Sequence, residues 1–203
     1  MGLYPFNKRR AQNMQTDQEG KVNRRSFISR LILSAAEAVA AAAAGVHAAV
    51  TDTGSQQVVT TGITNPPYPR NITATAGGTA GDIKAIQVTI AGTNCNDEAI
   101  SETLPAFTEN TAGIVQGNKC FKTVTSITIP AHDGTGATTA IGFGDKCQIP
   151  DKLPSNTVLH AMLGGVRETT FPTIVVDDDE IEKNTFDLNS ALDGSAVELF
   201  YMV

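Results

Sequence analysis

Tryptophan is missing from this 203-residue chain, and aromatic residues make up only 5% of it. A groove for stacking bases or sugar rings is therefore poorly supplied. Cysteine is scarce and odd in number. Cys95, Cys120 and Cys147 stand far apart with no Cys-x-x-Cys among them, which argues for reduced thiols and against a disulfide framework or a zinc site. There is no His-Glu-x-x-His, no Gly-x-Ser-x-Gly and no glycine loop opening a helix, so metallohydrolase, α/β-hydrolase and nucleotide chemistry have no local signature. No apolar run has the uninterrupted length of a membrane span. Beyond residue 50, eight Lys and Arg face 18 Asp and Glu, the reverse of the surface that phosphate binding needs. The chain is expected to take no cofactor and to bind neither nucleic acid nor membrane.

What is present changes character near residue 50. The first 50 residues carry seven Lys and Arg against three Asp and Glu, a net of +4, and the remainder carries −10. Lys8-Arg9-Arg10, Lys21 and Arg24-Arg25 lie among Gln, Asn and Gly with no apolar period, the pattern of an extended arm that orders on a partner. From Arg30 to about His47, RLILSAAEAVAAAAAGVH has very high helix propensity, because alanine loses no side-chain entropy in a helix. Leu31, Ala35, Ala38, Val39, Ala42 and Val46 share one face at helical spacing, and Ser34-Ala35-Ala36-Glu37 reads as a capping box. The expected organisation is an arm and Ala-rich helix over residues 1–49 and a β body over residues 50–203.

The body has period two. Ile86, Val88 and Ile90 alternate with Gln87 and Thr89, and Val197, Leu199, Tyr201 and Val203 alternate with Ala196, Glu198, Phe200 and Met202. Phe121, Ile127 and Ile129 share a face. Further short strands are expected at 57–60, 70–76, 100–104, 138–143, 157–162, 173–176 and 184–188. Turn signals separate them, among them Asn65-Pro66-Pro67, Gly77-Gly78, Gly164-Gly165 and Asp193-Gly194. Roughly nine or ten short strands at this spacing imply an all-β fold, an antiparallel sandwich or barrel.

Candidate chemistry is thin. His132-Asp133 reads as a surface turn, and Asp177-Asp178-Asp179-Glu180 as a solvated acidic loop without EF-hand spacing. Gly142-Phe143-Gly144-Asp145 fits a functional loop or a glycine-bounded strand end equally well. Asn71-Ile72-Thr73 matches the glycosylation triplet within an apparent strand. Glu98, Glu102 and Glu109 are the kind of acids a carbohydrate-active enzyme pairs, without a geometry to identify them. Asn23-Arg24-Arg25-Ser26-Phe27-Ile28 matches a twin-arginine export signal, with Val46-His47-Ala48 as a small-residue cleavage site. Against this, Glu37 puts a charge inside the stretch that should be apolar.

Several phrases carry a resemblance: Val46-His47-Ala48-Ala49-Val50, Thr61-Gly62-Ile63-Thr64-Asn65-Pro66, Val88-Thr89-Ile90-Ala91-Gly92-Thr93-Asn94, Ile141-Gly142-Phe143-Gly144-Asp145-Lys146 and Phe186-Asp187-Leu188-Asn189. In this order, over roughly residues 46–203, the chain resembles the small β-structured virion proteins of tailed bacteriophages. The resemblance implies a non-enzymatic capsid decoration or cement protein on the capsid exterior, assembled in the host cytoplasm. Its implied partners are the major capsid protein and further copies of itself, as a homotrimer. The arm residues Lys8, Arg9, Arg10, Arg24, Arg25 and Phe27 would then make the partner contacts. The alternatives are a head-fibre base, a tail or connector component, or an exported bacterial β-sandwich binding module.

Overall fold

A computed structural model describes residues 27–133 and 135–203. Over these the chain forms β1 (Ile28–Leu33), β2 (Ala42–Thr51), β3 (Gln57–Val59), β4 (Arg70–Gly78), β5 (Thr89–Thr93), β6 (Ala99–Thr103) and β7 (Gly113–Phe121). It continues with β8 (Thr123–Ile129), β9 (Ala137–Gln148), β10 (Val158–Leu163), β11 (Val166–Arg167), β12 (Thr173–Val175), β13 (Thr185–Asp187) and β14 (Val197–Met202). The only helical pieces among the described residues are single 3₁₀ turns at Ala80–Asp82 and Ile181–Lys183. The fold is all-β, as the period-two pattern implies, and every strand pairing is antiparallel.

Three sheets share two cores. The central sheet runs β12-β13-β9-β4-β7, with β2 also on β9; the outer two run β3-β8-β5-β6 and β1-β14-β10-β11. Ile72, Ala74 and Ile141 from the central sheet meet Ile90, Ile127 and Ile129 from β5 and β8 in one core. Cys147 and Phe186 from the same central sheet meet Leu33, Val197, Leu199 and Tyr201 in the other. β9 is long enough to serve both, Ile141 facing the first and Cys147 belonging to the second.

The Ala-rich helix does not form, and this corrects the expectation from propensity. Ser34 and Glu37 do make the contacts of a capping box, the Ser34 N–H and Oγ–H donating to Glu37 Oε2 at 2.8 and 2.7 Å. The turn they close stops there, and Ala42–Thr51 is a strand on β9. An alanine helix has little apolar side chain to bury, and most helix stability in proteins comes from such burial. As a strand the segment instead places Val46 in the core. The five-residue advance from Ala42 to His47 matches only two residues of β9, Phe143 to Ile141. The surplus is a bulge of Ala43, Ala44 and Gly45, where small residues are tolerated. Gly142 of β9 allows the close approach, since a Cβ there would run into the Ala42 carbonyl. The composition break at residue 50 thus falls inside β2.

Candidate functional site

β2 and β13 lie on the same side of β9 but reach different parts of it. β2 ends its pairing at Phe143, and β13 pairs only with Cys147 and Gln148. A gap is left beside Gly144, Asp145 and Lys146. Arg70, the first residue of β4, pins it from within the protein. Its guanidinium is fully buried and donates to Gly144 O at 2.7 Å, Val39 O at 2.6 Å and Asp145 Oδ1 at 2.8 Å. It also lies 4.7 Å from the centre of the Phe143 ring, close enough for a cation–π contact. Burial draws the arginine down from its ordinary value. A guanidinium nevertheless stays charged in proteins, so the three acceptors hold a buried cation.

A cleft of about 310 Å³ opens beside this pin. Ala41 and Ala43 wall one side, Ile114 and Gln116 of β7 another, and Phe143, Gly144 and Asp145 of β9 the floor, with Asp187 at the end of β13. Thr73 also lines it. That residue is 3% exposed, and its Oγ1 has no hydrogen-bond partner among the described residues. Burial, and then the neighbouring Asp145, push the Asp187 carboxyl above the ordinary aspartate range. The arrangement presents oxygen acceptors on a partly apolar wall.

A second surface lies on the sheet β1-β14-β10-β11. Ile28 and Ile32 of β1 are 68% and 53% exposed, and Met202 is paired opposite Ile28. Phe200 sits between them, stacked on His160 at 4.5 Å and covered by Arg30, whose Nη2 pairs with Glu198 at 2.8 Å. β1 is the edge strand of this sheet. Phe27, 64% exposed, joins it by backbone hydrogen bonds to and from Val203 at 2.9 and 3.0 Å.

Of the residues assigned to partner binding from sequence, Phe27 stands at this edge, while Lys8, Arg9, Arg10, Arg24 and Arg25 lie outside the described residues. The supposed cleavage site Val46-His47-Ala48 is internal to β2, with Val46 in the core. Cleavage there would remove all of β1 and most of β2. The three histidines are separately engaged. His47 Nδ1 lies 2.7 Å from Ala48 O, and His160 stacks on Phe200. His132, read as part of a surface turn, is instead buried; its Nδ1 accepts the Lys84 N–H at 3.1 Å, and its Nε2 lies 3.1 Å from Thr139 Oγ1. Asp133 beside it is exposed.

The acidic run is organised from within. Asp177 Oδ1 accepts the Asp179 and Glu180 N–H groups at 2.9 and 2.8 Å, and Glu180 pairs with both Lys119 and Lys183. Asn71 is buried with its amide on Gly117 O, which leaves no room for a glycan. Glu98, Glu102 and Glu109 serve Asn94, the Asn118 and Lys119 N–H groups, and Lys84 respectively, three separate contacts. Cys120 and Cys147 are buried and Cys95 half-buried, all as free thiols. No group of three metal-ligating side chains gathers among the described residues, and no described helix is long and apolar enough to cross a membrane. Sequence reasoning missed Arg70, Thr73 and Asp187; the phrase Gly142-Phe143-Gly144-Asp145 was the one local sign of the cleft. No family model, no curated protein and no solved structure matches this chain.

Proposed function

We propose that this protein is a non-enzymatic structural component of a tailed-phage virion, a decoration or cement protein that docks on the major capsid protein and on further copies of itself. The observation that supports this most is the edge strand β1. It continues a segment rich in Lys and Arg into a sheet whose outer face exposes Ile28, Ile32 and Met202. Apolar side chains clustered on an exposed face mark contact surfaces, and cations beside them favour an acidic partner. Repetition over a capsid lattice multiplies individually weak contacts. The export alternative is disfavoured by the core position of Val46, since a folded body keeps the segment that a signal peptidase would remove.

The test is direct. Gradient-purified virions of the phage encoding the chain are expected to contain it by mass spectrometry, with immunolabel over the head. Label at the fibres or tail would move it to the alternative virion positions; its absence from virions overturns the proposal. Ile28→Glu with Ile32→Glu should leave the fold intact and remove about 3 kcal/mol of docking, on the order of a hundredfold in affinity. Deletion of residues 1–26 tests the arm without disturbing β1 and β2.

A further inference from the structure

The cleft beside Arg70 has features that its structural role leaves unused. The carboxylate of Asp145 gives Oδ1 to Arg70, and its other oxygen receives no hydrogen bond among the described residues. Asp187 forms no direct ion pair among them, although Lys146 and Arg70 are near enough to act on its charge, so its carboxylate oxygens are free to accept a donor in the cleft. Thr73 Oγ1 is buried against the cleft with no partner among the described residues, an unsatisfied polar atom that a donor or acceptor entering the cleft would satisfy. Gln116 adds a neutral acceptor, and Ala41, Ala43 and Ile114 supply apolar wall. At about 310 Å³ the cleft lies at the small end of ligand pockets, room for one compact group rather than an extended chain.

Chemistry narrows the group. A hard divalent cation takes six or more oxygens or retains its own waters, and the buried Arg70 cation stands beside one of the two carboxylates. A guanidinium suits the same walls better. It is a single, weakly hydrated charge with five N–H donors in one plane, matched to carboxylate geometry, and its aliphatic stem can lie along the alanines. We propose that this cleft binds an arginine guanidinium, held by Asp187, Asp145 and Thr73, and that the arginine comes from residues 1–26 of this protein. That segment holds Arg9, Arg10, Arg24 and Arg25 and carries six Lys and Arg against two acids, while the rest of the chain carries a net −10. The choice of source rests on the reading of residues 1–26 as an arm; the guanidinium site itself does not.

The experiment uses the full chain and N-acetyl-arginine methylamide as the probe, titrated calorimetrically. A variant with Arg9, Arg10, Arg24 and Arg25 all changed to Gln is expected to bind the probe saturably. The unaltered protein should bind it at least about fivefold more weakly, because its own arginine competes. Adding Asp187→Asn or Thr73→Val, both close in shape to the native side chains, to the four-Gln variant should weaken the probe about tenfold. Competition that grows with protein concentration assigns the arginine to a second copy; competition that does not assigns it to the same chain. No saturable binding by the four-Gln variant at up to about 20 mM probe would overturn the site. So would binding indifferent to Asp187→Asn in a variant that remains folded by circular dichroism. Equal probe affinity with and without the four arginines would overturn the arm as its source, and that result is independent of whether the protein is found in virions.

Discussion

Replacing Arg70 by Met tests whether a buried cation, rather than continuous strand pairing, closes the gap along β9. Methionine fills similar space but leaves Gly144 O and Val39 O without their donor and Asp145 without its cation. Breaking a buried ion pair from one side costs about 3–5 kcal/mol. Asp145 is partly exposed and can rehydrate, which pulls that figure down; the two stranded carbonyls, at about 1–3 kcal/mol each, pull it back up. A net loss of about 4 kcal/mol follows. With a urea slope of about 2 kcal/mol per molar for a body of this size, the unfolding midpoint should fall by about 2 M. Arg70→Lys keeps the charge but cannot span three acceptors and should lose about half as much. Asp145→Asn, whose amide oxygen can still accept from Nη2 but which leaves the buried guanidinium without a carboxylate, should lose about 2 kcal/mol. Urea titrations followed by far-ultraviolet circular dichroism give all three. A midpoint shift under about 0.5 M for Arg70→Met, or Asp145→Asn as the most damaging of the three, would refute the reasoning. The second result would mean an ordinary ion pair rather than a carbonyl pin.

Gly142→Ala should destabilise the protein by about 2 kcal/mol or more, because its Cβ would meet the backbone of Ala42 and Ala43 and push β2 off β9. Ala140→Gly on the same strand, with a smaller loss in the same urea titration, is the control. The burial of His132 draws its pKa below the ordinary value, and its Nδ1 must stay unprotonated to accept from Lys84. A lowered folded value means that this stability is whole above the unfolded pKa of about 6.5 and is lost as pH falls below it. The urea midpoint should therefore decline more steeply from about pH 7 to pH 5 in the unaltered protein than in His132→Asn; parallel profiles would dismiss the histidine as a contributor.

Several strands were legible where large side chains alternate, although Ile86 and Val88, expected in a strand with Ile90, precede β5. Val197, Leu199 and Tyr201 all point into one core as their spacing implies, and β4, β6, β10 and β13 fall within a residue or two of their expected bounds. β2 was not legible, because alanine marks neither face of a strand and its helix propensity dominates a local reading. Ser34 and Glu37 show how far that local reading holds: their hydrogen bonds form, yet tertiary pairing with β9 decides everything after the first turn. β1 was hidden for a related reason, since half of its apolar residues, Ile28 and Ile32, face outward. Beyond the phrase Gly142-Phe143-Gly144-Asp145, the cleft could not be read. Its walls come from residues 41, 73, 116, 145 and 187, and only a known pairing of β2, β4, β7, β9 and β13 brings them together. Arg70 looked like the polar start of a strand, because nothing near it in sequence announces two acceptors more than 70 residues ahead, on Gly144 and Asp145, and a third on Val39 in the loop between β1 and β2.

The pairing of β1 with β14 also sets how the body would bear load. Six register pairs join the two strands, from Ile28 with Met202 to Leu33 with Val197, and the Phe27–Val203 bonds stand at the end where residues 1–26 enter. Tension directed along β1 is shared by all these bonds at once, whereas tension directed across it opens them singly, beginning with Phe27. A body tethered through its first 26 residues would therefore resist sliding strongly and lifting weakly.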